Sequence, residues 1–219
     1  MDSHNILYKQ AIENEIEMRL NNEYQKDYEL ADKLRKELFD SLGVKSDYLV
    51  DFYYRTIIDD KCISILAKYI PLFKNVGIAL NLITQQFWRK DNIDCSNFLE
   101  KWYYDLKRNN TLTNMIETTL DNTFVKIRDK SKIPFYIELI KDNDKFPLVM
   151  IMLAKWNIDE AKKIIISRLE NDKIKTYSIR ALGYYKDKNS IPLIEKHLKS
   201  DYSGVREEAK KVIDRLNKV

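Results

Sequence analysis

A chain of 219 residues with 44% hydrophobic and 33% charged residues can bury a sizeable core, and this balance excludes an intrinsically disordered protein. Four glycines and four prolines are too few for the many tight turns of a β-protein, so the composition favours helices joined by short loops. The net charge of +4 divides into −6 over residues 1–60 and +10 over residues 61–219. The basic part could attract nucleic acid, an acidic protein or an anionic surface, although most lysines would equally suit a solvated helical face.

The compartment is indicated by what the chain lacks. Its first residues have neither the basic nor the apolar region of a secretory signal, and its longest strictly apolar run, Phe146 to Ala154, is about half of a membrane span. Cys62 and Cys95 are isolated from each other in the sequence. We therefore expect a cytoplasmic, monomeric protein with reduced thiols, no membrane association and no cofactor.

The first part of the chain has the apolar spacing of helices. Apolar residues recur at three- and four-residue steps over 6–20 and again over 24–42, where Gly43 is placed to end the helix. Asp47 could cap a third helix over 48–58. We interpret residues 1–58 as an N-terminal helical cap that is continuous with the rest of the chain in one domain.

From residue 59 onward the helices are predicted to come in pairs. The predicted segments are 62–69, 72–88, a helix capped by Asp94 or Ser96 that runs through Leu106, and a helix capped by Asn110 or Thr111 that reaches about Ile127. Connections of two to six residues are typical of neighbouring antiparallel helices. Residues 59–219 are thus predicted to be helical repeats.

After residue 130 the chain becomes self-similar. Segments 146–155, 174–183 and 205–214 carry apolar or small residues at positions one, five and eight, and their starts lie 28 and 31 residues apart. A partner helix precedes each segment, over 133–140, 161–169 and 191–198. Asp144, Asp172 and Asp201 stand before the three segments, where an aspartate can cap a helix. Such pairs bury their apolar faces only by stacking on one another.

These motifs resemble the short bacterial variety of the HEAT-repeat family. The resemblance is carried by Val205-Arg206-Glu207-Glu208-Ala209, by Ala181-Leu182-Gly183 and by the following Ile191-Pro192-Leu193. It is clearest over residues 130–219, and Pro147 departs from it where a basic residue is usual. The resemblance implies a right-handed α-α superhelix with a concave ridge of second helices, a fold that serves many functions.

The apolar segment from Phe146 to Ala154 has two interpretations. It shows no polar face, so it is either a central helix buried between its neighbours or an exposed patch in which Leu148, Val149 and Met152 meet a partner. Trp156 closes this helix and suits either interpretation.

A second candidate surface combines aromatic and basic residues. Lys175, Tyr177, Arg180 and Arg206 could form a groove with the composition of a binding hot spot. The leading hypothesis is a protein-binding scaffold or inhibitor that uses the ridge of second helices, possessing no catalytic or metal-binding constellation. The same residues could instead hold nucleic acid.

Asp105 and His197 are the two residues whose type could indicate a chemical role. HEAT-like DNA glycosylases use an aromatic, basic concave face with a catalytic aspartate. Asp105, beside Trp102 and Arg108, is the one position that is similar to this pattern. His197 lies in a polar stretch of a predicted helix, so we expect it to be a surface residue rather than a metal ligand.

Overall fold

The computed structural model describes residues 25–49, 60–74 and 93–218, together with isolated positions at 9, 12, 13, 16, 17, 20, 77, 79, 83 and 87. Regular structure in these ranges is entirely helical, which confirms the all-α prediction. None of the described helices is long and apolar enough to cross a membrane. The chain divides into two compact units, residues 1–109 and 110–219. The predicted boundary at residue 58 and most of the predicted helices 6–20, 48–58 and 72–88 lie outside the described residues.

The first unit contains three described helices: α1 (Gln25–Leu42), α2 (Asp60–Tyr69) and α3 (Ile93–Arg108). Helix α1 packs against α2, and α2 packs against α3. The prediction that Gly43 ends α1 is confirmed: Gly43 has a φ of 64°, its N–H donates to Asp40 O, and Val44 N donates to Phe39 O. This pair of bonds satisfies carbonyls that the last helical turn leaves open, and it requires the left-handed backbone that glycine adopts without strain.

The second unit contains seven helices, whose bounds lie within a few residues of the predicted segments. They are α4 (Asn114–Ile127), α5 (Ile133–Asp142), α6 (Pro147–Lys155), α7 (Asp159–Ser167), α8 (Lys175–Leu182), α9 (Ile191–Glu195) and α10 (Ser203–Asn217). Short 3₁₀ turns join some of them, at Lys130–Lys132, Lys188–Ser190 and Lys196–Lys199. Pro134, Pro147 and Pro192 all stand in a first helical turn, where the missing N–H leaves no intrahelical bond unmade.

The helices of the second unit form a chain of contacts between alternate helices. Helices α4, α6, α8 and α10 contact one another in that order, while α5 contacts α7 and both contact α6. The Ser178 hydroxyl lies 3.9 Å from Met150 Sδ and Arg180 is bonded to Glu208, so partners in adjacent helices are 28 residues apart. Further along the same helices Lys155 meets Tyr184, so α6 and α8 run in the same direction.

Helix α6 is buried from Val149 to Ala154, and the reason is its number of neighbours. It contacts α4, α5, α7 and α8, so this stretch presents no face to solvent. Val149 is 0% and Met152 is 4% exposed. The structure therefore confirms the interpretation of this segment as a buried central helix.

The predicted aspartate caps are wrong. The N-cap residues of α6, α8 and α10 are Phe146, Ile174 and Tyr202, and none makes a side-chain cap bond. Asp144 instead accepts hydrogen bonds from Arg168 and from Asn171 Nδ2, which belong to the turn before α8. Asp172 pairs with Lys175 Nζ at 2.7 Å. The cap of α4 is Thr113, not Asn110 or Thr111.

Candidate partner-binding surface

Aromatic and basic side chains of α6, α8, α10 and nearby turns form cation–ring contacts. We call this set the basic–aromatic stripe, and it comprises Lys130, Lys155, Trp156, Tyr177, Arg180, Tyr184 and Arg215. Trp156, Tyr177, Arg180 and Tyr184 are half-buried, whereas Lys130, Lys155 and Arg215 are exposed. The stripe thus presents partly covered rings beside cations that reach into solvent.

Tyr184 is the centre of the stripe. Lys155 Nζ lies 4.8 Å and Arg215 Cζ lies 5.3 Å from the centroid of its ring. Each cation is attracted to the face of the ring, by about 0.5–1 kcal/mol at an exposed site. Within the described part of the chain neither Lys155 nor Arg215 forms an ion pair with a carboxylate. Two positive charges therefore converge on one ring, and Arg215 also interacts electrostatically with Glu208, the carboxylate that Arg180 binds.

Arg180 is held in place by a carboxylate on α10. Its Nε and Nη2 donate to the two oxygens of Glu208, each at 2.9 Å, and its guanidinium lies 5.8 Å from the ring of Tyr177. The hydrogen bond from Arg180 lowers the pKa of Glu208, whose side chain is mostly buried. Arg180 keeps 40% of its side-chain surface exposed, so it is fixed in orientation and still accessible to a partner.

Trp156 continues the stripe toward the end of α4. Lys130 Nζ lies 5.8 Å from its ring, and the ring itself packs at 6.3 Å against Tyr136 in the core. Because one side of the indole is anchored in this way, it could contact a partner without losing much conformational freedom.

The structure separates the residues predicted to form one surface. Val149 and Met152 are buried between helices, so the exposed apolar patch predicted from them is wrong. Leu148 is half-buried at the start of α6, where its N–H donates to Asp121. Trp156 belongs to the stripe, at the opposite end of the same helix.

The predicted basic groove divides in the same way. Tyr177 and Arg180 belong to the stripe, whereas Lys175 and Arg206 lie at the N-terminal ends of α8 and α10. Lys175 pairs with Asp172 at 2.7 Å. Arg206 Nη1 donates to the carbonyls of Ser200 and Asp201, at 2.6 and 2.9 Å.

Sequence reasoning left Lys130, Lys155, Tyr184 and Arg215 out of the candidate site, although a signal for some of them exists. Trp156, Tyr184 and Arg215 are 28 and 31 residues apart, which is the spacing of the repeat starts. Equivalent positions of stacked repeats lie side by side, so these three side chains could have been grouped before the structure was known.

Asp105 lies on a surface built from one helix. It pairs with Arg108 at 3.5 Å, and with Lys101, Tyr104 and Lys107 it lines a depression of about 610 Å³ on α3. Trp102, the aromatic neighbour in the glycosylase analogy, is only 6% exposed. Over the described ranges, no three His, Cys, Asp or Glu side chains are grouped to hold a metal ion.

His197 is buried in the 3₁₀ turn before α10, where it is only 6% exposed. This burial lowers the pKa of His197, because it disfavours the charged ring. The prediction that His197 is a surface residue is therefore wrong.

Comparison with known proteins gives no relative from which a role could be transferred. No protein-family model, no curated protein and no solved structure matches the chain. Function must therefore be argued from the residues of the stripe themselves.

Proposed function

We propose that this chain is a protein-binding module, a HEAT-like right-handed superhelix that regulates or inhibits a protein partner. The basic–aromatic stripe on its second helices would receive an acidic surface of that partner. The observation that carries the proposal is the ring of Tyr184, on which Lys155 and Arg215 converge without forming a direct ion pair among the described residues. An acidic side chain of a partner could form that ion pair.

The composition of the stripe supports a protein partner. Tyrosine, tryptophan and arginine are enriched among the residues that contribute most to protein interfaces, and the two aromatic types bury a large area at a small cost in conformational entropy. The second unit holds 22 Lys and Arg against 16 Asp and Glu, a net charge of +6, which would accelerate association with an acidic protein.

The proposal is tested by reversing the two converging charges. In the double variant Lys155→Glu with Arg215→Glu, we expect affinity for a protein captured from the native host to fall at least about tenfold, or about 1.4 kcal/mol. The matched control is Lys163→Glu with Lys210→Glu, which makes the same charge change at exposed positions outside the stripe. Equal binding by both double variants, measured by calorimetry with the purified partner, would contradict a role for the stripe.

Nucleic acid is the second candidate, since cations beside half-buried rings can also hold phosphates and stacked bases. The two candidates differ in their response to salt. Nucleic-acid affinity should fall steeply with salt through counterion release, whereas a partly apolar protein contact should be less sensitive. Salt-titrated binding to short DNA and RNA, with Lys175, Arg180 and Arg206 changed together to glutamate as the negative control, separates them.

A further inference from the structure

An exposed face that is both acidic and apolar lies near the N-terminus. Positions 9, 12, 13, 16, 17 and 20 are helical. Glu13, Ile16, Glu17 and Leu20 follow steps of three and four residues, so they lie within about 100° of one another around the helix. We call these four side chains the acidic–apolar face.

All four side chains of the acidic–apolar face are exposed. Leu20 is 81% and Ile16 is 38% exposed, and neighbouring large apolar side chains in solvent are a feature of docking surfaces. Glu13 and Glu17 form no ion pair within the described part of the chain. Among the described positions, Lys9 is the only cation on this side of the helix, so the face has a net negative charge.

The basic–aromatic stripe has the complementary chemistry. Its rings Trp156, Tyr177 and Tyr184 are half-buried, so they offer partly covered apolar surface. Lys155 and Arg215 are exposed and form no direct ion pair in the described part of the chain. A docking helix uses apolar anchors one turn apart, and its charged side chains pair at the rim of the contact. A helix with two carboxylates beside two apolar anchors therefore fits this stripe.

We propose that the acidic–apolar face of one molecule docks on the basic–aromatic stripe of a second copy. The two apolar side chains would pack on the rings, and the two carboxylates would pair with Lys155 and Arg215. This inference rests on the proposed function of the stripe as a protein-binding surface, and it names a second copy of the chain as an occupant that competes with the acidic partner. It departs from the expectation of a monomer.

The contact joins two different surfaces, which decides the form of the assembly. Each molecule carries one acidic–apolar face and one stripe, so a first contact leaves one of each unoccupied unless the assembly closes into a ring. We therefore expect self-association that increases with protein concentration. Sedimentation velocity of the full chain, from about 1 µM to about 1 mM, measures it over the range of weak and moderate affinities.

Reversing the charges on either surface tests the ionic part of the contact. Glu13→Lys with Glu17→Lys changes the acidic–apolar face, and Lys155→Glu with Arg215→Glu changes the stripe. We expect each double variant to weaken self-association at least about tenfold, because like charges then face each other. The matched controls make the same charge changes at exposed positions outside both surfaces: Glu195→Lys with Glu207→Lys, and Lys163→Glu with Lys210→Glu.

Mixing the two double variants tests whether the surfaces meet each other. The new lysines of one variant match the new glutamates of the other, and the unchanged surfaces also match. We expect the equimolar mixture to associate about as strongly as the wild type, although each variant alone does not. A mixture of the two control variants measures the attraction that arises from net charge alone.

The apolar part of the contact has its own test. Leu20→Ser removes an apolar anchor that is 81% exposed, so the change should leave the fold intact. We expect self-association to weaken at least about fivefold, because the side chain is buried only in the complex. Leu72→Ser is the control, since Leu72 is also exposed, at 58%, and lies outside both surfaces.

The proposal is wrong if the wild type stays monomeric at every concentration, which is also the result that an intramolecular contact would give. It is equally wrong if the charge-reversed variants associate as their controls do, or if their mixture associates no better than the control mixture. None of these results decides the proposed function. That function is judged by whether Lys155→Glu with Arg215→Glu loses the partner captured from the host.

Discussion

Asp121 is an aspartate that caps a helix other than its own. It lies on α4, is 3% exposed, and accepts the N–H groups of Leu148 (3.0 Å) and Val149 (2.8 Å) in the first turn of α6. Burial raises the pKa of Asp121 to about 7, and the two backbone hydrogen bonds lower it only in part. Desolvation of the carboxylate thus outweighs its favourable place at a helix N-terminus.

Asp121 should make stability depend on pH near neutrality. Because its pKa is raised on folding, the carboxyl stabilises the folded state fully below about pH 4, and that contribution is lost as the pH rises through about 7. Asp121→Asn cannot ionise. We therefore expect its free energy of unfolding, relative to wild type, to improve by about 2 kcal/mol between about pH 5 and pH 8.

The measurement is urea unfolding at several pH values. Asp214→Asn is the control, since it removes a carboxylate from the exposed face of α10 without touching a buried cap. If the free energy of unfolding of Asp121→Asn changed with pH as that of the wild type does, Asp121 would not be the titrating group.

At the scale of elements, α8 and α10 approach each other closely at a glycine, Gly183. A Cβ on Gly183 would lie 2.8 Å from Val212 Cγ1 and 3.2 Å from Cγ2, which is closer than carbon atoms tolerate. The backbone of Gly183 is right-handed (φ −63°), a conformation open to any residue. Glycine is therefore required because a larger side chain has no room, and not because of the backbone conformation.

Gly183→Ala should therefore destabilise the protein by about 1–3 kcal/mol through overpacking. Gly204→Ala is the matched control: it has open space around it in the first turn of α10, and it should leave stability unchanged or raise it by up to about 1 kcal/mol. Thermal unfolding compares the two. Adding Val212→Ala to Gly183→Ala should cost less than the sum of the single changes, and strict additivity would show that the two residues are not in contact.

The helices themselves were predictable because their signals are local. Pro134 and Pro192 at helix starts and Gly43 at a helix end act within a few residues of the chain, and the structure agrees at each. The caps were not predictable. Whether Asp144 caps the following helix or pairs with Arg168 depends on which residues lie beside it in the fold, and the sequence around Asp144 does not contain that information.

The burial of α6 and the composition of the stripe are properties of the stacked molecule. An apolar helix such as Phe146 to Ala154 looks the same in sequence whether four helices surround it or one face is left open. The stripe was half predicted, through Trp156, Tyr177 and Arg180. Lys155 and Arg215 belong to the stripe only because both lie near the ring of Tyr184, and the sequence does not show that proximity.

At the scale of the whole molecule, the second unit has a core of its own. Its buried side chains come from all its longer helices, and they include Phe124, Tyr136, Leu153, Ile165, Leu182 and Val212. We expect residues 110–219 expressed alone to unfold cooperatively, because they form a unit of ordinary domain size. Circular dichroism during heating would test this, and a gradual loss of helicity without a transition would contradict it.

The contacts between α4, α6, α8 and α10 share one register, but each is made by different chemistry. A carboxylate meets backbone N–H groups at the first interface, a hydroxyl meets a thioether at the second, and a guanidinium meets a carboxylate at the third. Only the third contact needs a particular side chain on both helices. A helix without an arginine at the position of Arg180 would leave Glu208 unpaired, at a cost of about 3–5 kcal/mol for an abandoned buried charge. The order of these helices along the chain is therefore itself part of what the sequence encodes.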